Sequence, residues 1–196
     1  PQAVRYPRGE QPILPEGRRL PDMTVYDGSQ EDAGGQGQAP QLSIVTYGRI
    51  TAACLQAARA LGERGVRVRV VSLECICPID YDELIPEISG RVLFVEEGIE
   101  AGGIGQQCLF SLFQRGACER AELAAVKGRF VPHGTTQQLL SLCGLDAAGI
   151  EARAQELLQQ GEEHGAKRGE RGPAVGGQDA PQLKQRARVL QRPRAK

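Results

Sequence analysis

Apolar side chains in residues 42–160 follow two alternating periods. Short runs of β-branched and aliphatic residues, typical of buried strands, are separated by stretches with apolar positions three and four residues apart, typical of helices. Gly65 stands where the first helix should end, and Asp80 is placed as an N-cap with Glu83 three residues on. The predicted strands are 42–47, 66–73, 91–96 and 121–126, and the predicted helices are 51–64, 81–88, one from about 104, 135–142 and 147–160.

The order of these elements predicts an α/β fold. Strands that alternate with helices at this spacing form βαβ units, which build a mainly parallel sheet covered by helices on both faces. The helix that begins near residue 104 is expected to turn its apolar face, which includes Phe113, towards the interior. We expect this domain to span residues 41–161.

Both flanks differ from this domain in composition. Residues 1–40 are rich in Pro, Gly, Gln and acidic residues, and 27–40 are typical of an exposed linker or loop. Periodicity is lost after Gly161, so residues 162–196 are expected to form a disordered basic tail. From His164 onward there are nine basic and two acidic residues, a charge of +7, which leaves −7 for the rest of a chain with 24 of each. A folded acidic domain with a basic tail argues against a nucleic-acid-binding domain.

The six cysteines show no framework of short, loop-rich spacings, so we expect a reduced, cytoplasmic protein. We expect no signal peptide, and the given sequence contains no apolar run of membrane-spanning length. Cys75 and Cys77 would share one face of an extended strand, but a metal site normally needs two further ligands. Burial of this pair beside Ile79 is the favoured interpretation.

Two arginines near the start are candidates for phosphate binding. Arg5 and Arg8 lie in the run RYPRG, and a guanidinium offers phosphate a permanently charged, bidentate fork. From the residues alone, a solvated terminus is the favoured interpretation of this pattern.

A second candidate site follows the third main strand, where Glu96 and Glu97 precede the glycines Gly102, Gly103 and Gly105. A strand, a glycine turn and a helix N-terminus can cradle an anion. The spacing differs from that of a dinucleotide fingerprint, and adjacent carboxylates on a strand point to opposite faces. The favoured interpretation is instead that the glycines permit a close backbone approach at a packed interface.

His133 precedes a predicted helix and could act as a general acid or base. The alternative is a structural histidine that caps the helix or packs at an interface, and we favour that alternative. We therefore expect no catalytic residue and no metal ligand in this chain.

Taken together, these segments resemble the 1-deoxy-D-xylulose-5-phosphate synthases, which are transketolase-like enzymes. The resemblance spans about residues 1–158, and Cys77 stands where the family usually has Lys. The linker 10–40 departs from the family pattern, and the segment after Gly161 has no counterpart. The matching segments are AVRYPRG (3–9), IVTYG (44–48), PID (78–80), VEE with GGIG (95–97 and 102–105), RFVPHG (129–134) and GLDAAGI (144–150).

The resemblance implies a three-layer αβα domain with a mostly parallel, five-stranded sheet. It also implies a parent enzyme that condenses pyruvate with glyceraldehyde 3-phosphate, releases CO2 and supplies isoprenoid and thiamine synthesis. Its cofactors are thiamine diphosphate and Mg²⁺, both held by domains that would lie upstream of residue 1. By position, Arg5, with Arg8 as second choice, resembles the arginine that contacts the acceptor phosphate.

The resemblance further implies how this section would serve the parent enzyme. Residues 1–40 would end the pyrimidine-binding domain, and no cofactor is expected on this chain. Its partners would be the remaining domains and a second subunit, with neither nucleic acid nor membrane. We expect Glu96, Gly102, Gly103, Gly105 and His133 to lie at these contacts.

Three hypotheses follow from the sequence. The first is a C-terminal section of the synthase that packs on other domains, completes a dimer and is inactive alone. The second is an autonomous regulatory domain that binds an anion at the glycine turn and an acidic partner through its basic tail. The third is the same domain of a transketolase or of a 2-oxoacid dehydrogenase beta subunit.

Overall fold

The computed structural model describes residues 3, 12–27, 39–128 and 130–159. Within them, six strands form one sheet and five α-helices cover its faces. The strands are Arg18–Arg19 (β1), Met23–Asp27 (β2), Leu42–Tyr47 (β3), Val68–Leu73 (β4), Arg91–Ile99 (β5) and Arg120–Val126 (β6). The helices are Thr51–Gly62 (α1), Tyr81–Leu84 (α2), Ile104–Gln114 (α3), Thr136–Cys143 (α4) and Ala147–Gln159 (α5).

The strand order is β1-β2-β4-β3-β5-β6. The four strands from β4 to β6 are parallel, and Ile44 of β3 stands between Val70 of β4 and Leu93 of β5. Strands β3, β4 and β5 are almost continuously buried because helices cover both of their faces. The expected α/β class with a mostly parallel sheet is therefore confirmed.

Alternation along each strand divides the interior into two cores. Ile44 and Leu93 point to the face covered by α1 and α5, whereas Val45 and Phe94 point to the face covered by α2 and α3. The result is the expected three-layer arrangement. Tyr47 and Glu96 continue the second of these alternations, so both side chains lie on the α3 side of the sheet.

The sheet has six strands rather than five because β1 and β2 add an antiparallel hairpin beside β4. Met23 and Val25 of this hairpin are buried, and burial of such a side chain contributes about 1.5–3 kcal/mol. The sheet therefore extends upstream of residue 41, where the sequence pattern placed the start of the domain.

The hairpin is also tied to the start of α2. The Asp80 carboxylate accepts bonds from the backbone N–H groups of Asp82 and Glu83, as predicted for an N-cap. The Glu83 carboxylate, however, accepts from the backbone N–H of Asp22 at 3.2 Å instead of closing a capping box. This bond links the turn of the hairpin to the helix layer.

Four expectations concern residues that the structure places differently or does not describe. Phe113 is half exposed on the outer side of α3 rather than packed inside, and Cys77 is exposed because β4 ends four residues before it. The predicted tail 162–196 and most of the predicted loop 27–40 lie outside the described residues. The domain boundaries themselves stay a prediction.

Candidate functional site at the glycine turn

The ends of β3 and β5 meet at the point where the chain changes direction across the sheet. From β3 the chain crosses to β4 through α1 on one face, and from β4 it crosses to β5 through α2 on the other. In open α/β sheets, ligands bind outside the carboxyl ends of the strands at such a switch point. Here that position is occupied by Tyr47, Arg49, Glu96 and Glu97.

Glu96 is the only charged residue among the buried ones that the structure describes, with 1% of its surface exposed. One carboxylate oxygen, Oε2, accepts a hydrogen bond of 2.8 Å from the Tyr47 hydroxyl. The other, Oε1, accepts a bond of 3.1 Å from the backbone N–H of Gly105 in the first turn of α3. Burial, followed by this hydrogen bond, raises the pKa of Tyr47 above its ordinary value. The hydroxyl therefore stays protonated and donates to the carboxylate.

The glycines of the turn are required by the space that the Glu96 carboxylate fills. A Cβ at Gly103 would lie 2.5 Å from Glu96 Oε1 and 2.4 Å from the backbone oxygen of Ile99. A Cβ at Gly98 would lie 2.8 Å from the other carboxylate oxygen. At Gly105, a Cβ would also collide with the side chains that pack α3 on the sheet. The backbone approaches closely at these glycines because the Glu96 carboxylate fills the space that a Cβ would occupy.

Glu97 points the other way, as the alternation of side chains on a strand predicts. Its carboxylate pairs with Arg49 at 2.9 Å, and both side chains are partly exposed. The two adjacent carboxylates therefore serve different sites.

The first turn of α3 can act as an anion cradle, and the anion it holds is the protein's own carboxylate. A helix N-terminus favours negative charge because its backbone N–H groups lack partners within the helix. Glu96 takes the Gly105 N–H, so an added anion would meet a negative charge at that donor. The geometry can brace β3, β5 and α3 against one another.

Gly102 and His133 lie on the surface. Gly102 adopts a positive φ of 78°, and its N–H donates to the Gln106 side chain at 2.6 Å. His133 is exposed and precedes Thr135, whose hydroxyl caps α4 in a capping box with Gln138. The structure does not bring His133 into the Glu96 cluster, and Thr135 rather than His133 caps the helix. Arg5 and Arg8 lie outside the described residues.

Sequence reasoning missed Tyr47 and Arg49 as partners of the two glutamates. The available signal was positional, since both residues lie at the carboxyl end of a parallel strand that neighbours β5. A cleft of about 1,090 Å³ beside residues 12–19 was also not predicted. It is lined by both arginines and carboxylates, among them Arg19, Arg59 and Glu74, and thus by side chains of both signs.

Among the described residues, no group of three or more His, Cys, Asp or Glu side chains is placed to hold a metal ion. None of the helices in the described ranges is long and apolar enough to cross a bilayer.

Comparisons with known proteins agree with this architecture. The family model of the transketolase C-terminal domain matches residues 35–150. A 1-deoxy-D-xylulose-5-phosphate synthase from Magnetococcus marinus is 34% identical over 163 residues, which cover 81% of this chain and 25% of that relative. The synthase from Cupriavidus necator is 33% identical over 159 residues, 80% of this chain and 24% of that relative.

A solved structure shows the same likeness. A split-gene transketolase, described as an inactive β4 tetramer, has a TM-score of 0.56 and 31% identity, covering 62% of this chain and 40% of its own. This chain spans about a quarter of the length of the curated synthases that it matches. Because the family model covers more than half of the residues, the chain belongs to the family of transketolase C-terminal domains.

Proposed function

We propose that this chain is the C-terminal section of a 1-deoxy-D-xylulose-5-phosphate synthase-like enzyme. The observation that carries the proposal is the similarity to such synthases, at 33–34% identity over four fifths of the chain. The parent reaction joins pyruvate to glyceraldehyde 3-phosphate with loss of CO2, and its product serves isoprenoid and thiamine synthesis. A cytoplasmic location belongs to the same proposal.

Within that enzyme, the proposed role of this domain is structural. The thiamine diphosphate and Mg²⁺ of the parent enzyme would be bound by its other domains. In support, the one buried carboxylate described here is engaged by Tyr47 and Gly105 within the domain. The split-gene relative, described as inactive in its β4 form, is a precedent for a section that needs its complement.

The proposed contact residues divide by exposure. Gly102 and His133 lie on the surface, where they can touch the other domains or a second subunit. Glu96, Gly103 and Gly105 would contribute indirectly, because they fix the shape of the turn that carries Gly102. For Arg5 and Arg8 we propose contact with the phosphate of the acceptor aldehyde, which a guanidinium would hold by charge-assisted bonds.

Reconstitution tests this proposal. The purified 196-residue chain, given thiamine diphosphate, Mg²⁺ and pyruvate, is expected to release no CO2. Joined to the upstream part of the Magnetococcus marinus synthase in place of its matching quarter, it should restore product formation from both substrates. Turnover by the isolated chain would overturn the structural role, and a folded but inactive hybrid would overturn the synthase assignment.

The same hybrid tests the arginines. Arg5→Ala and Arg8→Ala should raise the KM for glyceraldehyde 3-phosphate with little change in the KM for pyruvate, because only the acceptor carries a phosphate. Arg64→Ala is the matched control, since Arg64 follows α1 and pairs with Glu151 of α5. Equal effects on both substrates would contradict the phosphate contact.

One observation supports a second candidate function. The split-gene structure is a transketolase, so the domain could serve a transketolase instead. The hybrid separates the two, because the matching section of a transketolase is not expected to restore the synthase reaction. The regulatory-domain hypothesis is disfavoured by Glu96, which takes an N–H of α3 that an anionic ligand would need.

A further inference from the structure

A pair of thiols lies in the segment that joins β4 to α2. Cys75 is half-buried and Cys77 is exposed, although cysteine is among the residue types most often buried. The side chain between them, Ile76, packs against the core on the α2 and α3 face. Neighbouring side chains in an extended segment point to opposite sides. The two thiols therefore share the outer side of this segment.

The backbone that carries the two thiols is held at both ends. At its start, the backbone N–H groups of Glu74 and Cys75 donate to the carbonyl of Asp22 at 2.9 and 3.2 Å. At its end, Ile79 packs on the same core and precedes Asp80, which caps α2. The fold therefore positions this segment between the hairpin and the helix layer.

The spacing of the two cysteines is compatible with a disulfide bond. Residues two apart in an extended chain lie about 6.6 Å apart between Cα atoms, and a bend shortens this distance. Disulfides join Cα atoms that lie about 4.4–6.8 Å apart. Cys77 precedes Pro78, and a residue before proline favours extended backbone. The Cys75 thiol donates to the Pro78 carbonyl at 3.4 Å, so its sulfur leans along the chain in the direction of Cys77.

The other cysteines compete poorly for thiol chemistry in the folded chain. Cys54, Cys108 and Cys118 are buried, and burial raises the pKa of Cys54 and of Cys108 to about 12. The thiolate is the species that attacks a disulfide, so these thiols react slowly while the chain is folded. Cys143 is half-buried and packs against the core on the opposite face of the sheet. Oxidation of the folded chain is therefore expected first at the pair between β4 and α2.

We propose that Cys75 and Cys77 form a dithiol site that small disulfides, such as glutathione disulfide, oxidise to an intrachain disulfide. The exposed Cys77 thiolate attacks one sulfur of the small disulfide, whose S–S bond breaks and releases one thiolate. The Cys75 thiol then loses its proton to water, and its thiolate attacks the Cys77 sulfur and displaces the second small thiolate. The two protein thiols lose two electrons and two protons in total, and the small disulfide becomes two thiols.

The resulting bond is readily reversible. Exposed or strained disulfides are the ones that small thiols reduce most easily, and this bond would be exposed and close a very short ring. The site thus responds to the balance between small thiols and small disulfides. This inference uses only local geometry and does not depend on the synthase assignment.

Mass spectrometry of the full 196-residue chain tests the proposal. The chain is reduced, treated with glutathione disulfide near neutral pH, blocked with iodoacetamide in urea and cut with trypsin. Cleavage after Arg69 and Arg91 gives a peptide, 70–91, whose only cysteines are Cys75 and Cys77. We expect this peptide to be lighter than its reduced form by two hydrogen atoms and to carry no iodoacetamide group. An excess of reduced glutathione added before blocking should restore two labelled thiols.

Single variants separate the roles of the two thiols. Cys75→Ser should keep a glutathione adduct on Cys77, because no second thiol displaces it. Cys77→Ser should lose most of the reaction, because the half-buried Cys75 is the less accessible thiol. Cys143→Ser, which removes another half-buried thiol, is the matched control and should form the intrachain bond like the unchanged chain.

The unchanged chain itself gives the decisive result, whether or not every variant folds. A glutathione adduct that persists on peptide 70–91, a disulfide that joins two chains, or oxidation that appears only after unfolding in urea would each overturn the proposal. So would intrachain oxidation of Cys54 or Cys143 at the same rate, because the site would then have no preference for the exposed pair.

Discussion

Replacing Glu96 with Ala tests whether the buried carboxylate braces the sheet against α3. The change removes the acceptor of two bonds, from the Tyr47 hydroxyl and from the Gly105 N–H. A buried donor left without a partner costs about 1–3 kcal/mol. Gly105 is buried, whereas Tyr47 is only partly buried and its hydroxyl can regain water, so the Tyr47 share of the loss is smaller. Removal of a buried charge offsets part of the loss, and we expect a net destabilisation of about 2–4 kcal/mol.

Glu97→Ala is the matched control because it removes the same side chain from the next position. Its ion pair with Arg49 is partly exposed, and such pairs contribute about 0–1 kcal/mol. Glu96→Gln should fall between the two, at about 1–2 kcal/mol, because the amide oxygen can still accept from Gly105 but lacks the charge that the helix N-terminus favours.

The measurement is the free energy of unfolding, obtained from urea titrations that are monitored by circular dichroism. Variants are compared where their free energies fall with urea concentration at the same slope. If Glu96→Ala loses no more stability than Glu97→Ala, the bracing role is refuted. Combining Glu96→Ala with Tyr47→Phe should give less than the sum of the single losses, since both remove the same bond. Strict additivity would show that the 2.8 Å contact contributes nothing.

Three further outcomes follow from the same geometry. Gly103→Ala should lose about 1–3 kcal/mol in urea titrations because its Cβ meets backbone at 2.4 Å, whereas Gly128→Ala, which meets nothing within 4 Å, should stay within about 0.5 kcal/mol. Iodoacetamide should label the exposed Cys77 in the folded chain and reach Cys54 only on unfolding, because burial raises the pKa of Cys54 to about 12; peptide mass spectrometry would contradict this if both reacted alike. Folding raises the pKa of Tyr47 above its ordinary 10.0. The protonated hydroxyl therefore contributes its full stability below about pH 10, and this contribution is lost as the pH rises through the pKa of the folded state. Profiles of stability against alkaline pH that coincide for the unchanged chain and for Tyr47→Phe would contradict this prediction.

Most helices and parallel strands were predictable from sequence because local pattern and tertiary burial agree. Strand β4 begins at Val68 rather than at residue 66, and α5 ends at Gln159, close to the predicted 160. Strand β5 runs to Ile99, beyond the predicted end at Glu96, because pairing with Val126 resumes after a shift in register. A local pattern carries no information about such a shift in the neighbouring strand.

The hairpin β1–β2 could not be predicted from local signals. Met23–Asp27 is a five-residue run in surroundings rich in Pro and Gly, and the partner of Val25 is Val71. Pairing over such a separation in sequence depends on the assembled sheet rather than on the propensity of the strand. The same limitation explains why the burial of Phe113 was predicted wrongly. Its helical spacing fits an apolar face, but the spacing does not show which element that face contacts.

At the candidate site, it was predictable that the Glu96 and Glu97 side chains point to opposite faces of the sheet, because side chains alternate along a strand. What fills the first turn of α3 was not predictable, since a glycine turn can hold a ligand or a side chain of the same chain. The contact between Tyr47 and Glu96 shows that a side chain of the same chain fills the turn. This contact depends on the β3–β5 register, which sets Thr46 opposite Val95 and so brings Tyr47 beside Glu96.

The hairpin also sets where the domain can be cut for expression. The family match begins at residue 35, which lies downstream of Met23–Asp27. A shortened version that starts there would strip five backbone partners from β4 and uncover Val71 and Leu73. Such a bare edge invites strand addition by neighbouring molecules, so soluble preparations should retain residues from 12 onward.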